Sequence, residues 1–329
     1  MRIAFFLQTH KCLDQIERLV RILQSTSNDH IIVIAHDGPA AAIERLSKIE
    51  GVTRVTAAIG GRGRFGLIDD LLANLGWIRG NGLDYDWLVM MSGQDYLVRP
   101  LAELEQKLAT SKFDGYYHHF RADIPDEATS GAMQWPVRES QDRYYYAYKV
   151  ISSNISRLGQ ILLKLPKDVI NLSRTFRLSS SYGLMLGRRV AHAPFSEQFK
   201  LVGGSNWLTI RRSCAEYLVD FASKNPDIER HYRRTLVPEE SFMQSILYNS
   251  GQFNITGEEL RYYDFSHSKH GRPKIIQPDD IPDLLRSKYF IARKFDMDLC
   301  PDILDRVDQA MENGLAPDPP AGARDFSRV

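Results

Sequence analysis

Apolar runs and amphipathic segments alternate along the first 120 residues of the chain. Runs typical of buried strands are "IAFFLQTH", "HIIVIAHDG", "GVTRVT", "DWLVMMSG" and "DGYYHHF". Between them, segments such as "CLDQIERLVRILQS" and "GLIDDLLANLGWIRG" repeat apolar residues three and four positions apart, as in a helix with one buried face. Strands that alternate with helices predict parallel βαβ units, and therefore an α/β fold whose open, mostly parallel sheet has helices on both faces.

Two of the predicted strands end in polar turns that carry a carboxylate. "AHDG" supplies His36 and Asp37, and "SGQD" supplies Ser92, Gly93 and Asp95. Aspartate is common at such turns because it hydrogen-bonds its own backbone, so either turn alone has a conformational explanation. Ligands of open α/β sheets, however, bind outside the carboxyl ends of the strands. Two such turns on one edge therefore favour a ligand site there.

The middle of the chain is basic and amphipathic. Between Arg143 and Arg189 there are nine basic residues and one acidic residue, Asp168, among many tyrosines, leucines and isoleucines. Such a stretch can lie on an anionic membrane surface, or it can form a helical insertion that packs on the core with its cations in water. Both interpretations stay open at this point. No signature of a nucleic-acid-binding module accompanies the charge, so no nucleic-acid partner is expected.

Bulk composition excludes several classes of protein. A chain of 329 residues, 43% of them hydrophobic, can bury a large core, and its net charge of +1 points to no partner. The three cysteines have neither disulfide-framework nor metal-ligand spacing, which favours buried thiols. The first apolar run, Ile3–Leu7, is too short for a secretory signal, and no stretch reaches the ~20 apolar residues of a membrane span. We expect a cytoplasmic protein.

Five short motifs occur in an order that resembles the core-2/I-branching family of glycosyltransferases. They are "SGQDY", "GGSNWLTIRR", "PEESFMQSIL", "LRYYDF" and "ARKFD". "AHDG" is also similar to the His-x-Asp segment of the family, although here Asp37 directly follows His36. The family contains branching N-acetylglucosaminyltransferases and peptide O-xylosyltransferases and has many bacterial members. The resemblance covers residues 1–120 and 200–298 and leaves the basic segment unaligned.

The resemblance implies a nucleotide-sugar (A-type) glycosyltransferase fold. It implies inverting transfer of a sugar, GlcNAc or xylose, from a UDP-sugar to a glycan or other hydroxyl acceptor. It also implies that no divalent metal is used, and "SGQD" indeed lacks the second carboxylate of an Asp-x-Asp metal site. We expect one glycosyltransferase domain over residues 1–313, made of a nucleotide-binding half (1–120), a basic helical insertion (121–200) and an acceptor and catalytic half (201–298). Residues 314–329, rich in Pro, Gly and Ala, are expected to be a disordered tail.

The same resemblance assigns roles to individual residues. In "PEESF", the position that matches the general base of the family is Glu240; acids at a helix start are also common for the helix dipole alone. One base suffices because UDP leaves as a stable anion, but its diphosphate must meet positive charge. Lys294 in "ARKFD" matches the family's lysine, and Arg272 in "HGRPK" best matches its arginine, with Lys274 as the alternative.

The remaining candidates are expected to contact the nucleotide sugar or the acceptor. The predicted nucleotide-sugar ligands are completed by the two polar turns: His36, Asp37, Ser92, Gly93 and Asp95. The predicted acceptor wall consists of Gly204, Ser205, Trp207 and Tyr262. The glycine-rich "GGRGRFG" at 60–66 lacks the Lys-Ser/Thr of a P-loop and is interpreted as a mobile loop near the donor, with Arg62 and Arg64 in reach of it.

The expected partners are a UDP-sugar, a glycan or lipid-linked glycan acceptor and, through the basic segment, an anionic inner membrane surface. Two alternatives stay open. A nucleotidyltransferase on a similar sheet would need metal-holding acids and a glycine-rich Lys/Arg signature near the N-terminus, which the sequence does not show. A non-catalytic protein that binds sugar or a membrane surface could keep the same fold without turnover.

Overall fold

The computed structural model describes residues 1–124, 134–153, 155–266 and 272–313, so the predicted tail lies outside the described residues. The strands are β1 (Ile3–Thr9), β2 (Ile31–His36), β3 (Arg54–Ala57), β4 (Trp87–Ser92), β5 (Asp95–Leu97), β6 (Gly115–Tyr116), β7 (His119–Arg121), β8 (Tyr146–Ser152), β9 (Phe176–Ser179), β10 (Leu184–Arg189), β11 (Val202–Gly204), β12 (Thr209–Arg211), β13 (Ile255–Thr256), β14 (Arg261–Tyr262) and β15 (Ile291–Arg293). The α-helices are α1 (Leu13–Ile22), α2 (Ala40–Ser47), α3 (Gly66–Gly80), α4 (Leu101–Ala109), α5 (Val137–Tyr144), α6 (Arg157–Leu162), α7 (Lys164–Ile170), α8 (Arg212–Lys224), α9 (Pro226–Tyr232), α10 (Phe242–Ser250), α11 (Ile281–Arg286) and α12 (Ile303–Glu312). Single 3₁₀ turns form at Pro238–Glu240 and Pro278–Asp280.

A seven-stranded sheet in the order β13-β6-β12-β4-β1-β2-β3 forms the centre of the fold. Strands β1 to β4 are mutually parallel where they pair, as are β13 and β6. Only β12 runs antiparallel to its neighbours β4 and β6 within this sheet. The predicted α/β fold with a mostly parallel sheet is therefore confirmed.

One apolar core packs on each face of this sheet. Because neighbouring side chains of a strand point to opposite faces, Ile3, Phe5 and Leu7 belong to one core, while Ala4 and Phe6 belong to the other. The first core is completed by apolar residues of α1, α4, α11 and α12, and the second by those of α3, α8 and α10. The prediction of helices on both faces is confirmed.

The register of the central strands decides where their polar ends meet. Thr9, the last residue of β1, lies opposite His36 of β2, and Gln8 lies opposite Ser92 of β4. The ends of β1, β2 and β4 therefore form one continuous edge. This is the edge at which the sequence predicts a ligand site.

Two short stretches differ from their predicted elements. "DGYYHHF", predicted as one strand, splits into β6 of the main sheet and β7, which pairs with β11. Gly203 and Gly204 lie in this strand β11. The pairing is close at Gly204, where a Cβ would lie 2.1 Å from the carbonyl oxygen of His118. Gly204 therefore permits the strand pairing.

The basic insertion is not purely helical, which corrects the sequence-based expectation. Besides α5, α6 and α7, it contains a three-stranded antiparallel sheet in the order β8-β10-β9. In β8 the aromatic residues Tyr146 and Tyr148 alternate with other residues and are buried. In β10 the buried Met185 and Gly187 alternate with more exposed residues, a pattern that fits a strand with one buried face. On one side of this small sheet, Tyr146, Tyr148 and Met185 pack against Leu236 and Val237. The insertion is thereby attached to the segment that carries Glu240.

Replacement of a core leucine in the central strand tests the fold. Leu7 is fully buried in β1, whereas Leu299 is 67% exposed. We expect Leu7→Ala to lower the free energy of unfolding by about 2–5 kcal/mol, because transfer free energy is lost and a cavity remains. Leu299→Ala, the matched control, should change it by less than about 0.5 kcal/mol. Equal effects in urea denaturation would contradict the assigned core.

Candidate active site

The polar ends of β1 and β2 meet as predicted. The hydroxyl of Thr9 lies 2.8 Å from Nδ1 of His36, whose ring is buried, and burial lowers the pKa of His36. The backbone N–H of Asp37 donates to the carbonyl oxygen of Thr9 at 2.8 Å. The Asp37 side chain is exposed at the edge, whereas His36 supports the edge from inside.

The turn after β4 supports the site from beneath. Gly93 is buried, and a Cβ there would lie 3.1 Å from side-chain atoms of both Thr9 and Ile16, so this glycine serves packing inside the protein. Asp95 is 0% exposed, and its Oδ2 accepts a hydrogen bond from the backbone N–H of Ser92 at 2.7 Å. The predicted role of Asp95 as a direct ligand of the nucleotide sugar needs correction, because its carboxylate does not reach the edge.

Two arginines that the sequence analysis missed surround the Asp95 carboxylate. Nε of Arg293 lies 3.4 Å from Oδ1, and Nε of Arg261 lies 3.7 Å from Oδ2. Burial lowers the pKa of both arginines, and the charge of Asp95 opposes that shift. Each arginine directly precedes a residue that had been selected, in "LRYYDF" and "ARKFD". Neighbouring residues of a strand point to opposite faces, but strands as short as β14 and β15 do not reveal from the sequence which residue faces the site.

The two arginines hold the ring of Trp207. The guanidinium carbon of Arg293 lies 4.3 Å from the ring centroid, and that of Arg261 lies 5.4 Å from it. Arg261 also donates to the carbonyl oxygens of Met90, at 2.6 Å, and Trp207, at 3.3 Å. Cation–π contact and hydrogen bonding thereby fix Trp207, a predicted acceptor residue, above the end of β4.

The predicted acceptor residues do not all lie together. The carbonyl oxygen of Ser205 accepts a hydrogen bond from Gln244 at 2.6 Å, and its side chain interacts with the buried carboxyl of Glu259. Burial raises the pKa of Glu259 to about 7. Tyr262, in contrast, follows Arg261 on β14 and packs with Tyr289 against the other core, at a ring-centroid distance of 5.9 Å. The structure therefore separates Tyr262 from Trp207 and Ser205.

Positive charge concentrates around Lys294. This lysine is half-buried, and burial lowers its pKa first, followed by the positive charges of its neighbours, which are Arg293, Arg272, Lys11 and Arg62. Lys11 is itself paired with Asp296 at 2.7 Å and with Asp298 at 3.2 Å. The structure thus brings the two predicted diphosphate ligands, Lys294 and Arg272, into one cation cluster.

Two adjacent carboxylates differ sharply in environment. Arg143 of α5 donates to Oε2 of Glu240 at 2.8 Å, and the Glu240 side chain is partly exposed. Glu239 is buried; its Oε1 accepts from the backbone N–H of Gly63 at 2.7 Å, while its Oε2 has no hydrogen-bond partner among the described residues. Burial, and then the charge of Glu240, raise the pKa of Glu239 to about 7.

The glycine-rich loop 60–66 joins the carboxylates to the cation cluster. Gly63 has a positive φ of 78° and forms two hydrogen bonds with residues 237–240, since its carbonyl oxygen also accepts from the N–H of Val237 at 3.2 Å. Arg64 donates to the carbonyl oxygen of Tyr182 at 3.3 Å. Arg62 is exposed, and its charge acts on both Glu239 and Lys294. The charge of Arg62 therefore acts on both the carboxylates and the cations.

Among the described residues, no group of three or more His, Cys, Asp or Glu side chains could hold a metal ion. Helices long and apolar enough to cross a bilayer are likewise absent from the described ranges.

Residues 154–285 match the protein-family model "Branch: Core-2/I-Branching enzyme". This part of the chain is therefore similar to Core-2/I-branching enzymes. The resemblance predicted from "GGSNWLTIRR", "PEESFMQSIL" and "LRYYDF" is confirmed, and the match extends into the basic segment that the motifs left unaligned. "SGQDY" and "ARKFD" lie outside the matched range. A domain of this family implies an enzyme that transfers sugars.

Comparison with solved structures gives matches of low similarity. A 4-diphosphocytidyl-2C-methyl-D-erythritol synthase aligns with 10% identity and a TM-score of 0.36, over 86% of this chain and 97% of its own. The apo form of mouse xyloside xylosyltransferase 1 aligns with 8% identity and a TM-score of 0.39, over 89% of this chain and 97% of its own. No curated protein sequence matches this chain significantly.

The buried carboxyl of Glu239 predicts a specific dependence of stability on pH. Its pKa of about 7 in the folded protein exceeds the ordinary glutamate value of 4.5, so the wild type loses stability as pH rises from 4.5 to 7. Glu239→Gln keeps an acceptor for Gly63 but cannot ionise. We expect the stability of Glu239→Gln relative to the wild type to increase by about 3 kcal/mol over this interval.

Urea denaturation at closely spaced pH values measures this difference. Glu197→Gln, at an exposed glutamate, is the matched control and should follow the wild type. Parallel curves for Glu239→Gln and the wild type would show that the Glu239 carboxyl is not held in this environment.

Proposed function

We propose that this protein is an inverting glycosyltransferase that moves a sugar from a UDP-sugar to a hydroxyl group without a divalent metal. One observation carries the proposal: the Glu239–Glu240 pair and the cation cluster at Lys294 are joined by the loop that carries Arg62. A base and a positively charged site for a leaving anion are the two groups that a single displacement requires.

Glu240 is the proposed general base. Arg143 donates a hydrogen bond to Oε2 of Glu240 and thereby orients the carboxylate. The Glu240 side chain is partly exposed, so an incoming alcohol can reach it. The acceptor hydroxyl gives its proton to Glu240 while its oxygen bonds to the anomeric carbon. The bond from that carbon to the diphosphate oxygen breaks in the same step, so the anomeric configuration inverts.

Lys294 and Arg272 are proposed to bind the departing diphosphate, with Arg62 on the opposite loop. Burial and neighbouring cations lower the pKa of Lys294, so an anion placed there would relieve the repulsion between them. Arginine offers a planar pair of donors and lysine a compact point charge, and both fit phosphate oxygens. Asp37 at the open edge and Ser92 beside it remain proposed contacts of the nucleotide sugar.

Trp207 and Ser205 are proposed to contact the acceptor. A tryptophan ring matches the C–H faces of a sugar, and here two arginines hold that ring rigidly. The donor sugars proposed from the family resemblance are GlcNAc and xylose, and the proposed acceptor is a glycan or lipid-linked glycan. The cytoplasm is the proposed compartment.

Removing the base tests the chemistry. We expect Glu240→Gln to lower kcat by about 10²- to 10⁴-fold in UDP-release assays with UDP-GlcNAc and UDP-xylose, because the amide cannot accept the proton. Its affinity for UDP should be unchanged, which separates loss of chemistry from misfolding. The control Glu258→Gln, at an exposed glutamate, should keep full activity. Turnover by Glu240→Gln at the wild-type rate would refute the assignment.

Removing a cation tests how the leaving group is held. We expect Lys294→Ala to weaken UDP binding by about 10- to 100-fold in calorimetric titrations that contain EDTA, because a charge-assisted hydrogen bond is lost. Lys224→Ala, at an exposed lysine of α8, is the matched control. Binding of UDP that requires Mn²⁺ would contradict the metal-free proposal. Tight UDP binding without release from any UDP-sugar would instead indicate a non-catalytic binding protein.

A further inference from the structure

The basic insertion exposes a large apolar surface. Among the described residues, thirteen large hydrophobic side chains are exposed, and nine of them lie within residues 150–186. These nine are Val150, Ile151, Ile161, Leu162, Leu165, Val169, Leu172, Phe176 and Leu186. Scattered apolar residues are normal on a protein surface, but a concentration of this kind marks an interaction site.

The most exposed of these residues follow one side of α6 and α7. The two helices are continuous in hydrogen bonding, since the N–H of Leu163 donates to Gly159 at 3.0 Å and that of Lys167 donates to Leu163 at 2.9 Å. Spacing of four residues therefore places Ile161, Leu165 and Val169 on the same side. Their exposed fractions are 65%, 76% and 67%. We call this side, with Leu162 and Leu172, the apolar stripe.

The insertion that carries the apolar stripe is positively charged. Residues 143–189 contain nine basic residues and one acidic residue, a net charge of +8. Arg143 and Arg177 form ion pairs with carboxylates, but Lys149, Arg174 and Arg188 are exposed and form no ion pair with a described residue. An apolar stripe with cations around it complements an anionic lipid surface, in which acyl chains lie beneath negative headgroups.

We infer that the apolar stripe and the cations around it dock on an anionic lipid bilayer. The apolar side chains enter the boundary between headgroups and acyl chains, and Lys149, Arg174 and Arg188 face the headgroups. A second copy of the chain fits less well, because a two-fold contact would bring the exposed cations of both copies, Lys149, Arg174 and Arg188, to one interface. The inference concerns binding alone and does not depend on the identity of donor or acceptor.

The other side of the insertion faces the candidate active site. Tyr146 and Tyr148 of the small sheet pack against Leu236 and Val237, and α7 lies against β9 of the same sheet. The segment Pro238–Glu240 follows directly. The insertion would therefore lie between a docked bilayer and the segment Pro238–Glu240.

Co-sedimentation of the full chain with lipid vesicles tests the inference. We expect binding to vesicles that contain phosphatidylglycerol and little binding to pure phosphatidylcholine vesicles. The double variant Leu165→Glu/Val169→Glu should lose this binding, while Leu299→Glu, at an exposed leucine outside the insertion, should keep it. Arg174→Ala and Arg188→Ala should each weaken partitioning about fivefold at low salt.

Two results would overturn the inference: absence of binding to anionic vesicles by the wild type, or unchanged binding by Leu165→Glu/Val169→Glu. A dimer in sedimentation velocity that this variant converts to monomer, without any vesicle binding, would assign the stripe to a second copy and overturn it as well. Retained UDP affinity in the variant shows that it is folded. Loss of transfer in Glu240→Gln with intact vesicle binding separates this inference from the proposed function.

Discussion

The site depends on the ion pairs that the buried carboxylate of Asp95 forms with Arg261 and Arg293. Asp95 connects the turn after β4 with two arginines from the last third of the chain, one on β14 and one on β15. Two guanidinium groups with lowered pKa would not remain buried without a negative charge beside them. The negative charge of Asp95 therefore stabilises the buried guanidinium groups of Arg261 and Arg293 beneath the edge of the sheet.

The consequences extend to residues that Asp95 does not touch. Arg293 pairs with Asp95 in the antiparallel register of β15 and β5, and the next residue, Lys294, then emerges at the edge. The same two arginines fix Trp207. One ion network thus positions a proposed ligand of the diphosphate and a proposed contact of the acceptor, although the two lie far apart in sequence.

Local patterns predicted most of the fold. The alternation of apolar runs and amphipathic helices gave β1 to β4 and the helices between them, because burial of one face dictates the spacing of apolar residues. The polar ends of β1, β2 and β4 meet as expected, since parallel register aligns them. The β8-β10-β9 sheet was missed because its signal of basic and aromatic residues also fits a helix packed on a core.

Site residues were harder to predict where their role depends on distant partners. Nothing near Asp95 in the sequence shows that it is buried, since its partners Arg261 and Arg293 come from the other end of the chain. The sequence predicts Tyr262 as a site residue, but in the structure it is the preceding residue, Arg261, that faces the site. Strand β14 has two residues, too few for the alternation of side chains to show which of them faces the site. Adjacent Glu239 and Glu240 are chemically identical in sequence and differ only after folding.

The separation of charge between the two halves of the site explains how transfer could proceed without a metal ion. A divalent ion would require several carboxylates beside the diphosphate, but the charges that act on Lys294 are those of Arg293, Arg272, Lys11 and Arg62 and include neither Glu239 nor Glu240. Burial lowers the pKa of Lys294 first, and the charges of Arg293, Arg272, Lys11 and Arg62 lower it further, so these cations repel the charged lysine. An anion bound at the cluster would relieve that repulsion. In the proposed reaction the diphosphate would be bound most strongly when its negative charge is greatest, as its bond to the sugar breaks.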